Sequence, residues 1–262
     1  MKKIITLAFA VVLMINSAYA FKEYGHQTIV ALAKMHLTDK AKSEVETLLT
    51  GDMVKFSHRL PALRKSANMP HLREWEYFTL DANGKSTTTN ENDGVVALEK
   101  AIEVLRNRKS ESDSLVVASL YTVIQLVGDM HCISNVRIEG LVENDRFPFK
   151  VAKKENMLPE KMEKYDWRLF WHRYTNRHDV FSPQYYAQDI EIYLGKKRAE
   201  YEKGTPRFWV ENVGEDAVHC LEKITADAVI PTELVNRYED IHNKCMAKAG
   251  YRLSALLNDI FK

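Results

Sequence analysis

The sequence predicts an all-α fold, a single-domain multi-helix bundle. Apolar residues recur at helical spacing along most of the 262 residues. The 10 glycines and 7 prolines fall mostly between these periodic segments, and no internal repeat or shift in composition marks a domain boundary. The last segment shows the pattern most clearly, because its apolar residues lie three or four positions apart, as one buried helix face requires: Leu234, Tyr238, Ile241, Cys245, Ala249, Leu253, Leu256 and Ile260.

Residues 1–20 have the pattern of a secretory signal peptide. Lysines occupy positions 2 and 3, the run from Ile4 to Ile15 is apolar, and Ala18-Tyr-Ala20 matches a cleavage site. The apolar run is too short for a comfortable membrane span, and we expect no span later in the chain. We therefore expect cleavage between Ala20 and Phe21, which would leave residues 21–262 as one periplasmic or secreted domain.

Apolar spacing and capping residues predict the positions of the helices, with Thr38 as the cap of the second. The predicted helices are His26–Leu37, Asp39–Leu49, Val95–Arg106, Leu115–Met130, Met162–Tyr174, Gln184–Tyr201, Pro206–Val229 and Thr232–Phe261. Two polar stretches, 81–93 and 138–159, are predicted as loops. The second leaves room for a short β-hairpin near Phe147–Val151.

The charge balance gives no sign of a basic protein. Without residues 1–20 the chain would have 242 residues, with 35 Lys and Arg against 36 Asp and Glu. No global positive field therefore points to nucleic acid. Three cysteines in an oxidising compartment permit a disulfide but leave at least one thiol unpaired within the chain. Cys220 with Cys245 is the first candidate pair, and Cys132 is the third cysteine.

The segment from Leu115 to Val127 is apolar nearly all round, which predicts a helix at the centre of the bundle. Gln125 and Asp129 lie four residues apart near its end and therefore share one face. A carboxylate in such a place must be paired, hydrogen-bonded or bound to a metal. The residues alone leave two interpretations of Asp129 open, a capping or pairing role within the core and a ligand role.

The chain resembles the S1/P1 nucleases, exported helical zinc enzymes that hydrolyse single-stranded nucleic acid and 3'-phosphate groups. The resemblance is carried by short segments in the same order and at similar spacing. They are Phe21-Lys-Glu-Tyr-Gly-His26, Val127-Gly-Asp-Met-His131, Pro206-Arg-Phe-Trp-Val-Glu211, Ala249-Gly-Tyr-Arg-Leu253 and Leu257-Asn-Asp-Ile-Phe261. The resemblance implies a fold of the zinc phospholipase C-like type.

The resemblance also implies one metal-binding set. In the family the free amine and carbonyl of the first mature residue, usually Trp, bind zinc together with a histidine five residues later and the aspartate of a Gly-Asp pair. Phe21, His26 and Asp129 match that set. Phe can replace Trp because the backbone makes the contacts, and amine, imidazole and carboxylate groups are suitable zinc ligands. His131 matches a residue common in bacterial members, which suggests a supporting role beside the ligands.

Other positions depart from the family pattern, and two of them remain candidate ligands. Gln125 stands where members have a histidine four residues before the aspartate, and Glu76 stands in Trp75-Glu-Tyr77 where members have Trp-His-Tyr. Without a gap, the aspartate expected to activate water falls at Pro61. A local gap would instead bring His58 or His71 into the site.

The last departures lie after the central helix. The final histidine of Gly-Asp-x-His-Gln-Pro-Leu-His is replaced by Asn135, and His-x-x-Trp-Asp becomes Arg168-Leu-Phe-Trp-His172. Arg168 opposes a metal but would hold a phosphate through its fork of N–H groups. His172 is a further candidate ligand, and Gln125, Asn135 and Arg168 are candidate substrate-binding residues. Nearby aromatic residues would stack on a base if exposed, although at helical spacing such residues are more often core: Tyr165, Trp167, Phe170 and Trp171.

These residues lead to two functional hypotheses. The first is a metal-dependent hydrolase of single-stranded nucleic acid or 3'-nucleotides, impaired by the replacements, with Asp129 and Glu76 as candidate catalytic residues. It predicts one zinc site rather than three, or none. The second is a non-catalytic periplasmic binding protein, a pseudoenzyme, that recognises phosphate-containing ligands or a protein partner. The sequence does not determine the oligomeric state.

Overall fold

A computed structural model describes residues 22–57, 75–141, 147–152, 158, 161–174, 181–224 and 226–262. These residues are predominantly helical, which confirms the predicted all-α class. The signal-peptide residues and four candidates of the sequence analysis lie outside the described part: Phe21, His58, Pro61 and His71.

The first half of the described chain supplies the central helices. These are α1 (Lys22–Met35), α2 (Asp39–Leu48), α3 (Met53–Ser57), α4 (Gly94–Arg106) and α5 (Asp113–Met130). Thr38 caps α2 as predicted, since its hydroxyl accepts a hydrogen bond from the Ala41 amide at 3.2 Å. Asp93 caps α4 through the Val95 amide at 2.9 Å.

The second half of the chain surrounds α5 and α1 with further helices. These are α6 (Trp167–Leu169, continued by a π-helical turn over Phe170–Tyr174), α7 (Pro183–Leu194), α8 (Arg198–Tyr201), α9 (Pro206–Leu221) and α10 (Thr232–Ile260). Helix α1 packs against α3, α7 and α10, while α4 packs along α5. The candidate residues on α1 and α5 are thus held inside the bundle.

Five short strands form two small sheets beside the helices. Strand β1 (Phe78–Leu80) pairs in parallel with β2 (Val136–Ile138), and Thr79 lies opposite Arg137. Strand β3 (Pro148–Val151) pairs antiparallel with β4 (Glu163–Asp166) and parallel with β5 (Val229–Ile230). The β1–β2 pair brings the residues around Glu76 next to the end of α5.

Helix α5 forms the centre of the core. From Ser119 to Met130 every side chain is buried. The helix is long and apolar enough to cross a membrane by length and composition, but 67% of its apolar window is buried inside the protein. A core helix has this property, and the prediction that α5 occupies the centre of the bundle is confirmed.

The predicted helix over Met162–Tyr174 is wrong at its start, where residues 163–166 form β4 instead. The cause is tertiary, because β3 supplies hydrogen-bonding partners that local helical spacing cannot reveal. The short hairpin expected near Phe147–Val151 is the pairing of β3 with β4. The helix predicted over Pro206–Val229 ends at Leu221, and that predicted over Gln184–Tyr201 is divided near Gly195.

The three cysteines are buried free thiols, so no bond joins Cys220 to Cys245 in the structure. Burial raises the pKa of both thiols well above the usual range. A buried thiol with a raised pKa has little thiolate and is chemically quiet. Cys132 is buried beside them, with its Sγ 3.4 Å from the Ser134 hydroxyl.

Candidate functional site

One half of the candidate site, which we call the donor region, consists of His26 on α1 and Gln125 and Asp129 on α5. All three side chains are buried, and Asp129 is fully inaccessible. The imidazole Nε2 of His26 lies 3.3 Å from Asp129 Oδ1. The sequence analysis placed His26 and Asp129 in one metal set, and the structure brings them together.

Gln125 links the other two residues of the donor region. Its amide nitrogen lies 2.6 Å from Asp129 Oδ2 and 3.1 Å from His26 Nε2. The nitrogen must face the carboxylate, because an amide oxygen at that distance would repel it. Its second amide hydrogen lies on the side of His26 Nε2, which is also 3.4 Å from the Gln125 carbonyl oxygen. Gln125 therefore orients the Asp129 carboxylate so that its other oxygen, Oδ1, faces His26 Nε2.

Gly128 makes this close approach of α1 and α5 possible. A Cβ atom at position 128 would lie 2.8 Å from both Cδ2 and Nε2 of His26. Such a contact is shorter than real side chains tolerate, so any larger residue would displace the imidazole. The Gly-Asp pair thus has two separate roles, space for the ring and a carboxylate next to it.

Asn135 supports the end of α5 from the turn that follows it. Its side chain is fully buried, and its Nδ2 donates to the Asp129 carbonyl oxygen at 3.1 Å. Within the described part of the chain, Asn135 Oδ1 is buried and accepts no hydrogen bond. Asn135, a candidate substrate-binding residue of the sequence analysis, therefore lies at the donor region.

The other half, which we call the ion-pair region, consists of Glu76, Tyr77 and Arg168. Arg168 Nη2 lies 2.9 Å from Glu76 Oε2, and Nη1 donates a hydrogen bond to the Tyr77 hydroxyl. The exposed fraction of Glu76 is 8% and that of Arg168 is 7%. The two replacements that the sequence analysis treated separately therefore meet as one buried ion pair.

Local structure positions each member of the ion pair. Glu76 lies in a single helical turn that runs into β1, and the indole Nε1 of Trp75 anchors this turn by donating to the Glu91 carbonyl at 3.1 Å. Arg168 lies in α6, whose first turn is capped by Asp166 Oδ1 accepting from the Leu169 amide at 2.6 Å. His172 is buried four residues after Arg168, in the π-helical turn.

The aromatic residues around Arg168 are core residues for the most part. Trp167, Phe170 and Trp171 are buried, and the two indole rings contact each other edge to face, with centroids 5.6 Å apart. Tyr165 is half-buried and packs edge to face on Phe170 at 6.1 Å. The buried rings support Arg168 from beneath and present no face to a nucleobase.

His131 lies two residues after Asp129 and binds Arg252, a residue that the site prediction missed. The His131 Nδ1–H donates to the Val127 carbonyl at 2.7 Å, and Nε2 accepts from Arg252 Nη1 at 2.8 Å. Burial and the Arg252 charge hold the pKa of His131 well below 6.5, so the ring is neutral. Arg252 also donates to the Tyr201 carbonyl and to Asn212 Oδ1, which ties α5 to α8 and α9.

The donor region has two donor atoms at the spacing of zinc ligands, whereas the ion-pair region already contains a cation. Neighbouring ligands of a tetrahedral zinc with nitrogen and oxygen donors lie about 3.3 Å apart, which is the separation of His26 Nε2 and Asp129 Oδ1. In the ion-pair region the guanidinium already neutralises the Glu76 carboxylate. Among the described residues no group of three or more His, Cys, Asp and Glu side chains could hold a metal. The third predicted donor, the Phe21 amine, lies outside them.

Two comparisons with known proteins bear on this arrangement. The family model described as S1/P1 Nuclease matches residues 21–132. No curated protein matches the chain. The matched segment contains the donor region and Glu76, and it ends before Asn135, Arg168 and His172. The predicted resemblance is thereby confirmed, and residues 21–132 of this chain are similar to the S1/P1 nuclease family.

Proposed function

We propose that the chain is an exported S1/P1 nuclease-like protein that binds phosphate groups of single-stranded nucleic acid or 3'-nucleotides and hydrolyses them weakly, with one zinc ion. The geometry of His26 and Asp129 carries the proposal, because their facing donor atoms are spaced as zinc ligands are. Export, cleavage after Ala20 and a periplasmic or secreted location belong to the same proposal, which requires the free amine of Phe21.

The donor region would hold the single zinc. His26 Nε2, Asp129 Oδ1 and the Phe21 backbone are the proposed ligands, and zinc there would polarise a phosphoryl oxygen or lower the pKa of a bound water. Gln125 holds the Asp129 carboxylate in place through the hydrogen bond to Oδ2, which leaves Oδ1 directed at His26. Asn135 fixes the backbone of Asp129 from the other side.

Weak hydrolysis follows from the ion-pair region. A close pair of metal ions stabilises both the attacking and the leaving oxygen of a displacement. The Glu76 carboxylate is already paired with Arg168, so a second metal would have to share it with the guanidinium. We therefore assign Glu76 and Arg168 to charge balance beside the substrate and keep Asp129 as the main candidate for catalysis.

One observation favours the alternative of a non-catalytic binding protein. The Glu76–Arg168 pair is buried, hydrogen-bonded and complete without a metal. A site that supplies its own cation can recognise a phosphate-containing ligand or a protein partner without catalysing a reaction.

Metal content and turnover of the signal-cleaved protein test the proposal. We expect about one zinc per chain by elemental analysis, slow zinc-dependent cleavage of single-stranded DNA or RNA, and loss of both in His26→Ala because a ligand is removed. His219→Ala is the matched control, since that imidazole lies at the surface of α9 with its side chain 48% exposed. A content of three zinc ions would contradict the one-metal site. Oligonucleotide binding without zinc or cleavage would establish the non-catalytic alternative.

A further inference from the structure

Arg137 lies at the outer edge of the ion-pair region, on a position to which the sequence analysis assigned no role. It is the central residue of β2, and its neighbours Val136 and Ile138 point into the core while Arg137 is exposed. Its guanidinium carbon lies 3.5 Å from the centre of the Tyr77 ring. At that distance the guanidinium lies against the face of the ring, as in a cation–π contact.

Tyr77 is itself fixed from the side of the protein interior. Arg168 donates to its hydroxyl, and the Arg168 guanidinium carbon lies 5.3 Å from the same ring centre. Two guanidinium groups therefore share one aromatic ring, the buried one tied to Glu76 and the exposed one above it. Among the described residues, Glu76 is the carboxylate that forms an ion pair with this cluster, and it does so through Arg168.

The stacked position of Arg137 leaves its hydrogen-bonding edge available. A guanidinium has five N–H donors, all in its plane, and stacking occupies only its face. Among the described residues none forms an ion pair or hydrogen bond with the Arg137 side chain. Such an edge binds two oxygens of one phosphate in parallel. Arg168 is less suited to this role, because its side chain is buried and Nη2 and Nη1 already bind Glu76 and Tyr77.

We propose that Arg137, held flat on Tyr77, is the residue that captures a phosphate group at this site, either in a nucleic acid strand or as free phosphate. This inference rests on the proposed function only where it assigns the phosphate to a nucleic acid strand. The phosphate site itself is argued from Arg137 and Tyr77. Arg137 follows Asn135 by two residues, and Asn135 binds the Asp129 backbone. Arg137 is therefore two residues along the chain from a side chain that contacts the proposed zinc site.

Binding measurements with Arg137→Gln test the site. The signal-cleaved protein is titrated with inorganic phosphate, followed by calorimetry, and with a labelled single-stranded oligonucleotide, followed by fluorescence anisotropy at several salt concentrations. We expect Arg137→Gln to weaken both by about tenfold or more and to reduce the slope of log affinity against log salt by about 0.7. Arg137→Lys should recover part of the affinity, because it keeps the charge but not the planar edge.

Arg106→Gln is the matched control, because Arg106 is an exposed arginine on α4 paired with Asp259 at 3.0 Å. It should bind both probes as the original protein does. Phosphate binding that is lost in Arg137→Gln, together with no oligonucleotide binding by the original protein, would support the Arg137 site and overturn its nucleic acid source. Equal binding by Arg137→Gln and the original protein, or no binding of either probe by the original protein, would overturn the site.

Discussion

The donor region and the ion-pair region both bury ionisable side chains, but they balance charge in different ways. In the donor region the Asp129 carboxylate meets an imidazole and an amide, neither of which is a permanent cation. In the ion-pair region the Glu76 carboxylate meets a guanidinium, which is a permanent cation. The first arrangement keeps room for an added cation, whereas the second has its cation built into the chain.

Removal of Arg168 is the most severe test of this difference. Arg168→Met removes the guanidinium that lies 2.9 Å from the buried Glu76 carboxylate, and we expect a loss of about 3 to 5 kcal/mol in the free energy of unfolding. Chemical denaturation measures the loss. The double variant Glu76→Leu with Arg168→Met removes both charges and should recover most of the stability. If Arg168→Met alone left the free energy of unfolding unchanged, the Glu76 carboxylate would not depend on Arg168 for its charge balance.

Gly128→Ala tests the packing of the donor region and should have a smaller effect. Its methyl group would meet the His26 ring at 2.8 Å, so we expect a loss of about 1 to 3 kcal/mol together with weaker zinc binding. Thermal denaturation and zinc titration measure the two effects. In a His26→Ala background the clash is gone, and the same substitution should be neutral or stabilising by about 0.5 to 1 kcal/mol. If Gly128→Ala lost as much stability in the His26→Ala background, the His26 ring would not be the reason that position 128 requires glycine.

The smallest expected effect lies in the scaffold outside both regions, at Glu191 on α7. Burial raises the pKa of Glu191, but hydrogen bonds from His36 and Tyr251 outweigh it, and the net pKa lies below 4.5. The stabilisation is therefore complete above pH 4.5 and is lost as the pH falls through the lower pKa of the folded state. The difference in unfolding free energy between the original protein and Glu191→Gln should shrink on acidification by less than about 1 kcal/mol.

Zinc binding provides the control for this pH effect. Glu191→Gln should bind zinc at neutral pH as the original protein does, because Glu191 belongs to neither region. A change in zinc affinity would mean that the α1–α7 contact reaches the donor region. If the difference in unfolding free energy between the original protein and Glu191→Gln did not change with pH, folding would not lower the pKa of Glu191.

The sequence predicted the helical class and the donor region for physical reasons that are local. Gln125 and Asp129 share a helix face by spacing alone, and the apolar period places the long helix α10 within one residue of its observed end. The start Phe21-Lys-Glu-Tyr-Gly-His26 and the Gly-Asp pair carried the resemblance that added His26. These features depend on positions close in the chain or on a motif.

The ion-pair region could not be predicted in the same way. Glu76 and Arg168 are 92 residues apart, and their pairing depends on how β1 and α6 pack. Each replacement, taken alone, indicated a metal ligand or a phosphate contact. Tyr77 had a weak signal, because it belongs to the Trp75-Glu-Tyr77 element, whereas Arg137 had none before the β1–β2 pairing placed it over that ring. The strand β4 was missed for a similar reason, since its partner lies in a separate segment.

The start of α1 at Lys22 gives the proposed cleavage a second consequence. The aligned peptide dipoles of a helix place about half a positive charge at its N-terminus. That partial charge would oppose a zinc ion bound by the Phe21 amine, so the buried Asp129 carboxylate is the group that would offset it.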